Sequence, residues 1–245
     1  AFKRSHAPIK KFDQVRSDFV ANASHELKTP VAGIRLLSEA IRDAAEIEDK
    51  KSLNLFIDRL DNEAERLQRL VIDLLDLSRL EETPDPDKHP RAELHSALVT
   101  SFMAHKGGAE DKHLDLVLDD RSVAGDDCYA DMEPSDASLV FDNLIENAIM
   151  YTDEGSILVT FEPRAHEIAV IVKDTGIGIP QTDQSRIFER FYRVDKARSR
   201  EVGGTGLGLS LVRHAVERSN GQVSVKSTPG EGSEFTVVFP RSKQH

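Results

Sequence analysis

His25 and its neighbours Glu26 and Thr29 are the side chains most ready for chemistry. They lie in Phe19-Val20-Ala21-Asn22-Ala23-Ser24-His25-Glu26-Leu27-Lys28-Thr29-Pro30, which has the composition of a helix. Leu27 and Val31 are expected on its buried stripe. His25 is two residues from Leu27, about 200° around the helix. Its imidazole therefore faces solvent, where it can act as a nucleophile. Glu26 can accept one ring proton, which fixes the tautomer and leaves the other nitrogen more nucleophilic. Thr29 lies one turn on, on nearly the same face. Pro30 removes the hydrogen bond to the Glu26 carbonyl, which predicts a bend and a hinge there. The bland alternative is a solvated helix face carrying a His-Glu pair.

Asn143 and Asn147, in Asn143-Leu144-Ile145-Glu146-Asn147-Ala148-Ile149-Met150-Tyr151-Thr152, are four apart and share one helix face. Their amide oxygens can ligate a hard cation or contact phosphates. Magnesium suits such a site, because few protein groups and the phosphates hold it jointly. In Lys173-Asp174-Thr175-Gly176-Ile177-Gly178-Ile179-Pro180, a carboxylate ends a strand and glycines follow. Glycines let the backbone approach a flat ligand, and the carboxylate can accept from an exocyclic amine such as that of adenine. Gly203-Gly204-Thr205-Gly206-Leu207-Gly208-Leu209 opens a helix, where bare amides attract phosphate. Between these glycine motifs, Arg190, Arg193, Lys196, Arg198 and Arg200 read as a mobile lid over phosphates. Taken singly, each motif has a plain structural reading: exposed amides, a tight turn, or solvated charge.

The elements that must position these residues divide at Glu81 to Pro90, where Pro84, Pro86 and Pro90 crowd together and a helix must end. Before it, Leu53, Ile57, Leu60, Ala64, Leu67, Val71, Leu74 and Ser78 alternate steps of four and three, the seam of a coiled coil. Upstream, Val20, Leu27, Val31, Ile34, Ser38 and Ile41 form a looser stripe. Two long helices with a short connection near Glu46 to Lys51 make a helical hairpin. Alone it cannot bury its seams, so a second copy is expected to complete a four-helix bundle as a homodimer. After the boundary, strands are expected at Leu114–Leu118, Ser156–Phe161, Glu167–Lys173, Gln222–Ser227 and Ser233–Phe239, and helices at Ser138–Tyr151 and Leu207–Ser219. That order predicts an α/β sandwich, one mostly antiparallel sheet covered by helices. The domains are thus 1–83, the hairpin, and 84–245, the sandwich.

The 245 residues carry 39% hydrophobic and 31% charged side chains, a globular composition. A net charge of −11 argues against nucleic acid as a partner. The single cysteine, Cys128, excludes an internal disulfide and a thiolate-rich metal site. No apolar run approaches the roughly 20 residues of a membrane helix, and no signal peptide is seen. The chain opens at Ala1 within basic, helix-compatible sequence. It reads as the cytoplasmic piece of a longer protein, whose membrane segments, if present, lie upstream. There is no GxxxxGK[ST] motif, and no GxGxxG follows a strand in a βαβ unit.

In order and spacing, the motifs resemble the H, N, G1, F, G2 and G3 boxes of sensor histidine kinases of two-component systems. Ser24–Pro30 matches the H box, Asn143–Thr152 the N box and Asp174–Gly178 the G1 box. Ile187-Phe188-Glu189-Arg190-Phe191-Tyr192 matches the F box, Gly204–Gly208 the G2 box and Gly230–Phe235 the G3 box. The resemblance runs from about Phe12 to Pro240. The H box with Arg190-Phe191-Tyr192-Arg193-Val194-Asp195 looks most like the phosphate-starvation type of these sensors.

The resemblance implies a dimerisation and histidine-phosphotransfer hairpin followed by a GHKL-type ATP-binding domain. His25 would be the phosphoacceptor, Glu26 its general base, and Thr29 the residue that orients water for dephosphorylating a response-regulator receiver domain. Asn147 would bind Mg2+, Asn143 would help at the phosphates, and Asp174 would take the adenine amine of ATP. Gly176 and Gly178 would shape the adenine pocket, with Tyr151 packed nearby. Gly204, Thr205, Gly206, Leu207 and Gly208, with Arg190, Arg193 and Lys196, would surround the phosphates. The family often has Lys or Arg where this chain has Met150. That departure implies weaker nucleotide binding, or compensation by Lys196 or Arg198.

Two rivals are weaker. GHKL ATP hydrolases carry a water-activating glutamate where this chain has Asn143, and Glu146 is about 100° off that face. A non-catalytic scaffold would be expected to have lost His25 or the glycine boxes.

Overall fold

The computed structural model describes residues 7–82, 90–123, 127–195 and 204–242, with side chains from residue 19 onward. Pro84, Pro86, the 83/84 boundary, Lys196, Arg198, Arg200 and Gly203 lie outside the described residues. Contacts divide the chain into two units. One comprises Ala1–Asp76 with Asp195–Leu207, the other Leu77–Val194 with Gly208–His245.

The first unit is built on α1 (Ala7–Glu46) and α2 (Lys50–Glu81). Ile47 to Asp49 connect them. There Glu48 takes a left-handed φ of 53° and the Asp49 carboxylate accepts from Ser52 N at 3.2 Å, an N-cap. Helix α1 continues through Pro30, whose ring is buried.

Burial within a single chain separates covered from uncovered positions along the expected seams. Within one chain, Arg66, Leu70, Leu77 and Leu80 of α2 are buried, whereas Ile57 and Val71 are 40% and 43% exposed, and Ala64 and Ser78 are exposed too. On α1, Val20 and Val31 are likewise uncovered within one chain. A straight helix of 3.6 residues per turn drifts away from a 3.5-residue repeat, so the expected seam splits into two stripes. One packs inside the chain. The other leaves Val31, Leu36, Ile57, Val71 and Leu75 uncovered.

The second unit also contains β1 (Ala92–Glu93), α3 (Leu94–Asp111), β2 (Asp115–Asp120), β3 (Tyr129–Ala130), α4 (Pro134–Tyr151), β4 (Ser156–Pro163), β5 (Glu167–Asp174), α5 (Gly208–Arg218), β6 (Gln222–Thr228) and β7 (Gly232–Pro240). The main sheet has the order β2-β4-β5-β7-β6. The β2–β4 pair is parallel and the other pairs are antiparallel, and β1 pairs with β3 separately. Every expected strand and helix of this domain is present, to within a few residues at each end. The sequence reading omitted α3 and the two short strands. Helix α3 begins where the Glu93 carboxylate accepts from the amides of His95 and Ser96, satisfying amides that the helix itself cannot.

Helices α3, α4 and α5 form one layer against the sheet. Phe141, Leu144 and Ile145 of α4 and Leu211 and Val212 of α5 meet Ile157, Val159, Phe161, Val170, Val237 and Phe239 in a core with no solvent exposure. The Phe141 and Phe239 rings meet edge to face, 6.2 Å between centroids, an arrangement favoured by ring quadrupoles.

Candidate active site

On the hairpin, His25 and Thr29 are exposed and Glu26 is half-buried, as the helical spacing requires. The Thr29 hydroxyl donates to the His25 carbonyl at 3.2 Å, which leaves its oxygen lone pairs for solvent. Glu26 is held by Arg66 of α2, Nη2 to Oε2 3.7 Å, and Arg66 also pairs with Glu63 at 3.4 Å. Arg66 is 8% exposed. A buried guanidinium between two carboxylates satisfies its charge and fixes the Glu26 side chain. Sequence reading missed Arg66, although its place beside seam residue Leu67 was the available signal. In the same unit the Thr205 hydroxyl donates to the Asp73 carboxylate at 2.5 Å and accepts from Leu207 N at 3.2 Å. Gly206 between them has φ +76°, a conformation natural to glycine.

In the second unit, Asn143, Asn147 and Tyr151 follow one another at helical spacing on α4, about 12 Å from first to last. Asn143 Nδ2 donates to the Leu139 carbonyl at 2.8 Å and Asn147 Nδ2 to the Asn143 carbonyl at 2.7 Å. Each NH2 thus gives one of its two N–H donors to the helix, and the amide oxygens can serve as ligands. An amide oxygen is the donor a hard cation prefers, so Asn147 fits the expected metal. The first residue of α5 closes on this face. A Cβ at Gly208 would lie 2.3 Å from Asn143 Oδ1, so glycine permits the approach.

The far end of the α4 face meets the glycine loop after β5. The Tyr151 carbonyl accepts from Ile177 N at 3.2 Å, and a Cβ at Gly176 would lie 2.3 Å from that oxygen. Gly178 has φ +68°, and a Cβ there would lie 2.0 Å from the Thr228 carbonyl. Asp174 is 5% exposed, and its Oδ1 accepts from Gly176 N at 2.9 Å and Ser233 N at 3.1 Å. Burial pushes its carboxyl above the usual range, against the pull of those two amides. One carboxylate oxygen is thereby fixed by backbone, and a carboxylate has a second oxygen able to accept a hydrogen bond.

The structure thus brings Asn143, Asn147, Tyr151, Asp174, Gly176, Gly178 and Gly208 together around α4. Gly204, Thr205, Gly206 and Leu207 belong to the hairpin unit. Arg190 forms an ion pair with Glu81, and Arg193 is half-buried nearby. Beside Met150, Lys112 Nζ donates to the carbonyls of Ile149 at 2.8 Å and Met150 at 3.3 Å. A cation therefore caps the negative end of α4. This contact joins residues far apart in sequence, and no local pattern announced it. Among the described residues no cluster of three or more His, Cys, Asp or Glu could hold a metal by itself, and no helix is long and apolar enough to cross a membrane.

Both domains resemble known proteins. Residues 15–83 match the His Kinase A (phospho-acceptor) domain. Residues 132–243 match the histidine kinase-, DNA gyrase B-, and HSP90-like ATPase family. The sensor-like histidine kinase SenX3 of Mycolicibacterium smegmatis is 38% identical over 94% of this chain and 59% of its own length. The sensor histidine kinase WalK of Bacillus subtilis is 36% identical over 96% of this chain and 38% of its own length. The chain therefore spans between about two fifths and three fifths of these relatives. The solved structure of histidine kinase ThkA in complex with response regulator protein TrrA shares the fold, with a TM-score of 0.72, 21% identity, and coverage of 95% of this chain and 64% of that one. With a phospho-acceptor domain followed by an ATPase domain of this kind, the chain belongs to the sensor histidine kinases of two-component systems.

Proposed function

We propose that this chain is the catalytic core of a protein histidine kinase. It transfers the γ-phosphoryl group of ATP to His25 and passes it to an aspartate on a response-regulator receiver domain. The observation that carries this reading is an exposed histidine beside a carboxylate, in one chain with a nucleotide-type site that offers Asn143 where a hydrolase needs a base. The phosphoacceptor region is 1–83 and the ATP-binding region 84–245. Like the relatives it matches, the whole protein would be a sensor, with any membrane anchor outside this chain.

Asp174 selects adenine by accepting from its amine, and Gly176 and Gly178 let the backbone lie against the ring. Asn147 Oδ1 would hold Mg2+, which would offset negative charge on the phosphates. Glu26, steadied by Arg66, takes the proton of one imidazole nitrogen. The other nitrogen attacks the γ-phosphorus in line; the N–P bond forms, the bond to the bridging oxygen breaks, and ADP leaves. His25 and this nucleotide site belong to different units, so transfer requires the two to meet. The direct test is incubation with magnesium and ATP labelled at the α or the γ position. Only the γ label should appear on protein, stable to base and labile to acid as a phosphoramidate is. Steady phosphate release with no labelled protein would identify a hydrolase instead.

We also propose that the chain is bifunctional, because the exposed Thr29 hydroxyl lies one turn from His25 with its lone pairs open to water. Thr29→Ala removes that hydroxyl and introduces the better helix former. The variant should keep autophosphorylation and transfer but lose most acceleration, about tenfold or more, of phosphate loss from the phosphorylated partner. Timing the decay of that purified partner with each variant and ADP is the check. Unchanged decay with Thr29→Ala removes the phosphatase assignment.

A homodimer follows from the uncovered apolar stripe of Val31, Leu36, Ile57, Val71 and Leu75, which a second hairpin would bury as a four-helix bundle. Val71 is 43% exposed within one chain, and Val71→Glu places an unpaired charge in that interface at a cost of several kcal/mol. Sedimentation should show wild type as a dimer at micromolar concentration and Val71→Glu as a monomer. A monomeric wild type contradicts the bundle.

A further inference from the structure

The segment that follows the glycine loop after β5 is fastened to the β6–β7 hairpin by one glutamine. Gln184 is half-buried. Its Nε2 donates to the Ile179 carbonyl at 3.0 Å and to the Ser227 carbonyl at 2.7 Å. A primary amide nitrogen carries two N–H donors, so both are used. Ser227 answers from its own side, where its hydroxyl accepts from Ile179 N at 2.7 Å. Ile179 is thus held through both its N–H and its carbonyl. Ile179, Gln184 and Ser227 all lie in the second unit.

This fastening reaches Asp174 by two routes. Along the chain, Ile179 ends the loop Gly176-Ile177-Gly178-Ile179, and Gly176 N donates to Asp174 Oδ1 at 2.9 Å. The turn of the hairpin holds that loop at a second point, because Gly230 N donates to the Ile177 carbonyl at 2.8 Å. Across the hairpin, the Ser227 hydroxyl gives its one proton to the Gly232 carbonyl at 2.8 Å. It therefore accepts from the Ser233 hydroxyl at 2.9 Å, and Ser233 N donates to the same Asp174 Oδ1 at 3.1 Å. The two amides that fix the carboxylate thus belong to the two segments that Gln184 and Ser227 tie together. A side chain can hold a loop only if its own backbone is anchored. Here Asp183 N donates to the Pro180 carbonyl at 2.9 Å and Ile187 N to the Asp183 carbonyl at 3.0 Å, and Ile187 and Phe188 are buried. An acceptor that reads a small ligand has to be held to within about 0.5 Å, and a loop without ladder bonds depends on such ties for that precision.

We propose that Gln184 is a positioning residue for base recognition. By clamping Ile179 to Ser227 it holds the two amides that aim the Asp174 carboxylate, and so sets how strongly the site prefers a base bearing an exocyclic amine. The proposal rests on the adenine role given to Asp174 above, and its test separates the two.

The measurement is the affinity of the 245-residue chain for magnesium-ATP and for magnesium-purine riboside triphosphate, which lacks the 6-amine. Wild type should prefer ATP by about thirtyfold, as a hydrogen bond to a charged acceptor allows. Gln184→Met keeps the length of the side chain and removes both donors. Its preference should fall to about threefold or less, the range of a poorly aligned bond. Ser227→Ala loosens the same tie from the hairpin side and should lower the preference likewise. Gln184→Lys should keep most of it, because an ammonium can still donate to both carbonyls. A loss of general stability would weaken both nucleotides alike and leave their ratio where it was. An unchanged ratio in a folded Gln184→Met chain therefore overturns the proposal. Should Gln184→Met not fold, a wild-type ratio in Ser227→Ala overturns it equally. Equal affinity of wild type for the two nucleotides would instead refute the adenine role of Asp174, and the proposal with it.

Discussion

Asp174→Asn should abolish useful ATP binding and at the same time make the nucleotide-free chain more stable. The carboxylate is buried, with Oδ1 taken by the amides of Gly176 and Ser233. Asparagine can keep both bonds through its own oxygen. It then presents an NH2 donor where the adenine amine needs an acceptor. Losing a hydrogen bond to a charged group costs about 1.5–3 kcal/mol, and opposing two donors adds to that, so the Kd for ATP should rise about a hundredfold or more. Stability moves the other way. The carboxyl has its pKa raised by burial, so the folded chain holds this proton more tightly than the unfolded chain. The stability this group contributes is present below its ordinary range and is lost as pH rises through the raised value. Above that raised value the ionised group weakens the empty fold, and a neutral asparagine relieves it. Thermal melting at pH 7 and nucleotide titration of one preparation check both halves. Unchanged ATP affinity would remove Asp174 from the adenine site. The same sign predicts that wild-type ATP affinity declines as pH falls through the raised carboxyl value.

Asn147→Ala should lower autophosphorylation about a hundredfold or more while leaving the fold intact. The side chain is half-buried, and its NH2 bonds only to the Asn143 carbonyl, so truncation leaves no buried donor stranded. What disappears is the amide oxygen offered to the cation. Charge stabilisation by a bound metal is worth several kcal/mol, and each 1.36 kcal/mol is tenfold in rate. Nucleotide affinity in the presence of EDTA should barely change, whereas the increment added by magnesium should vanish. Asn147→Asp should also perturb magnesium-nucleotide binding, because it sets a charge beside the phosphates. Near-wild-type labelling in Asn147→Ala would show that the metal ligand lies elsewhere.

The residues proposed for the nucleotide site could be picked out in sequence because their requirements are local. Gly178 with φ +68° and a carbonyl where its Cβ would be admits no other residue comfortably. Asn143, Asn147 and Tyr151 announce a face by spacing alone. Helix α4 could be located because Pro134 suits a first helical turn, and the helix begins there. Helix α3 escaped notice because Gly107 and Gly108, near its end, and scattered polar residues dilute its period. The hairpin pattern was read correctly as helical but not resolved into its two faces. Periodicity gives the spacing of apolar residues without saying which partner covers them. Lys112 was invisible for a different reason. It is one more charged residue in a polar stretch until tertiary structure supplies the end of α4 for it to bind.

The central claim is that His25 receives the phosphoryl group. It is tested most directly by His25→Gln, assayed beside wild type for label from γ-labelled ATP and for ATP binding. The substitution lies on an exposed position of α1, in a different unit from Asn147 and Asp174. The account predicts that base-stable, acid-labile label disappears entirely while ATP affinity is unchanged. Persistence of that label in His25→Gln would place the acceptor elsewhere and contradict the account.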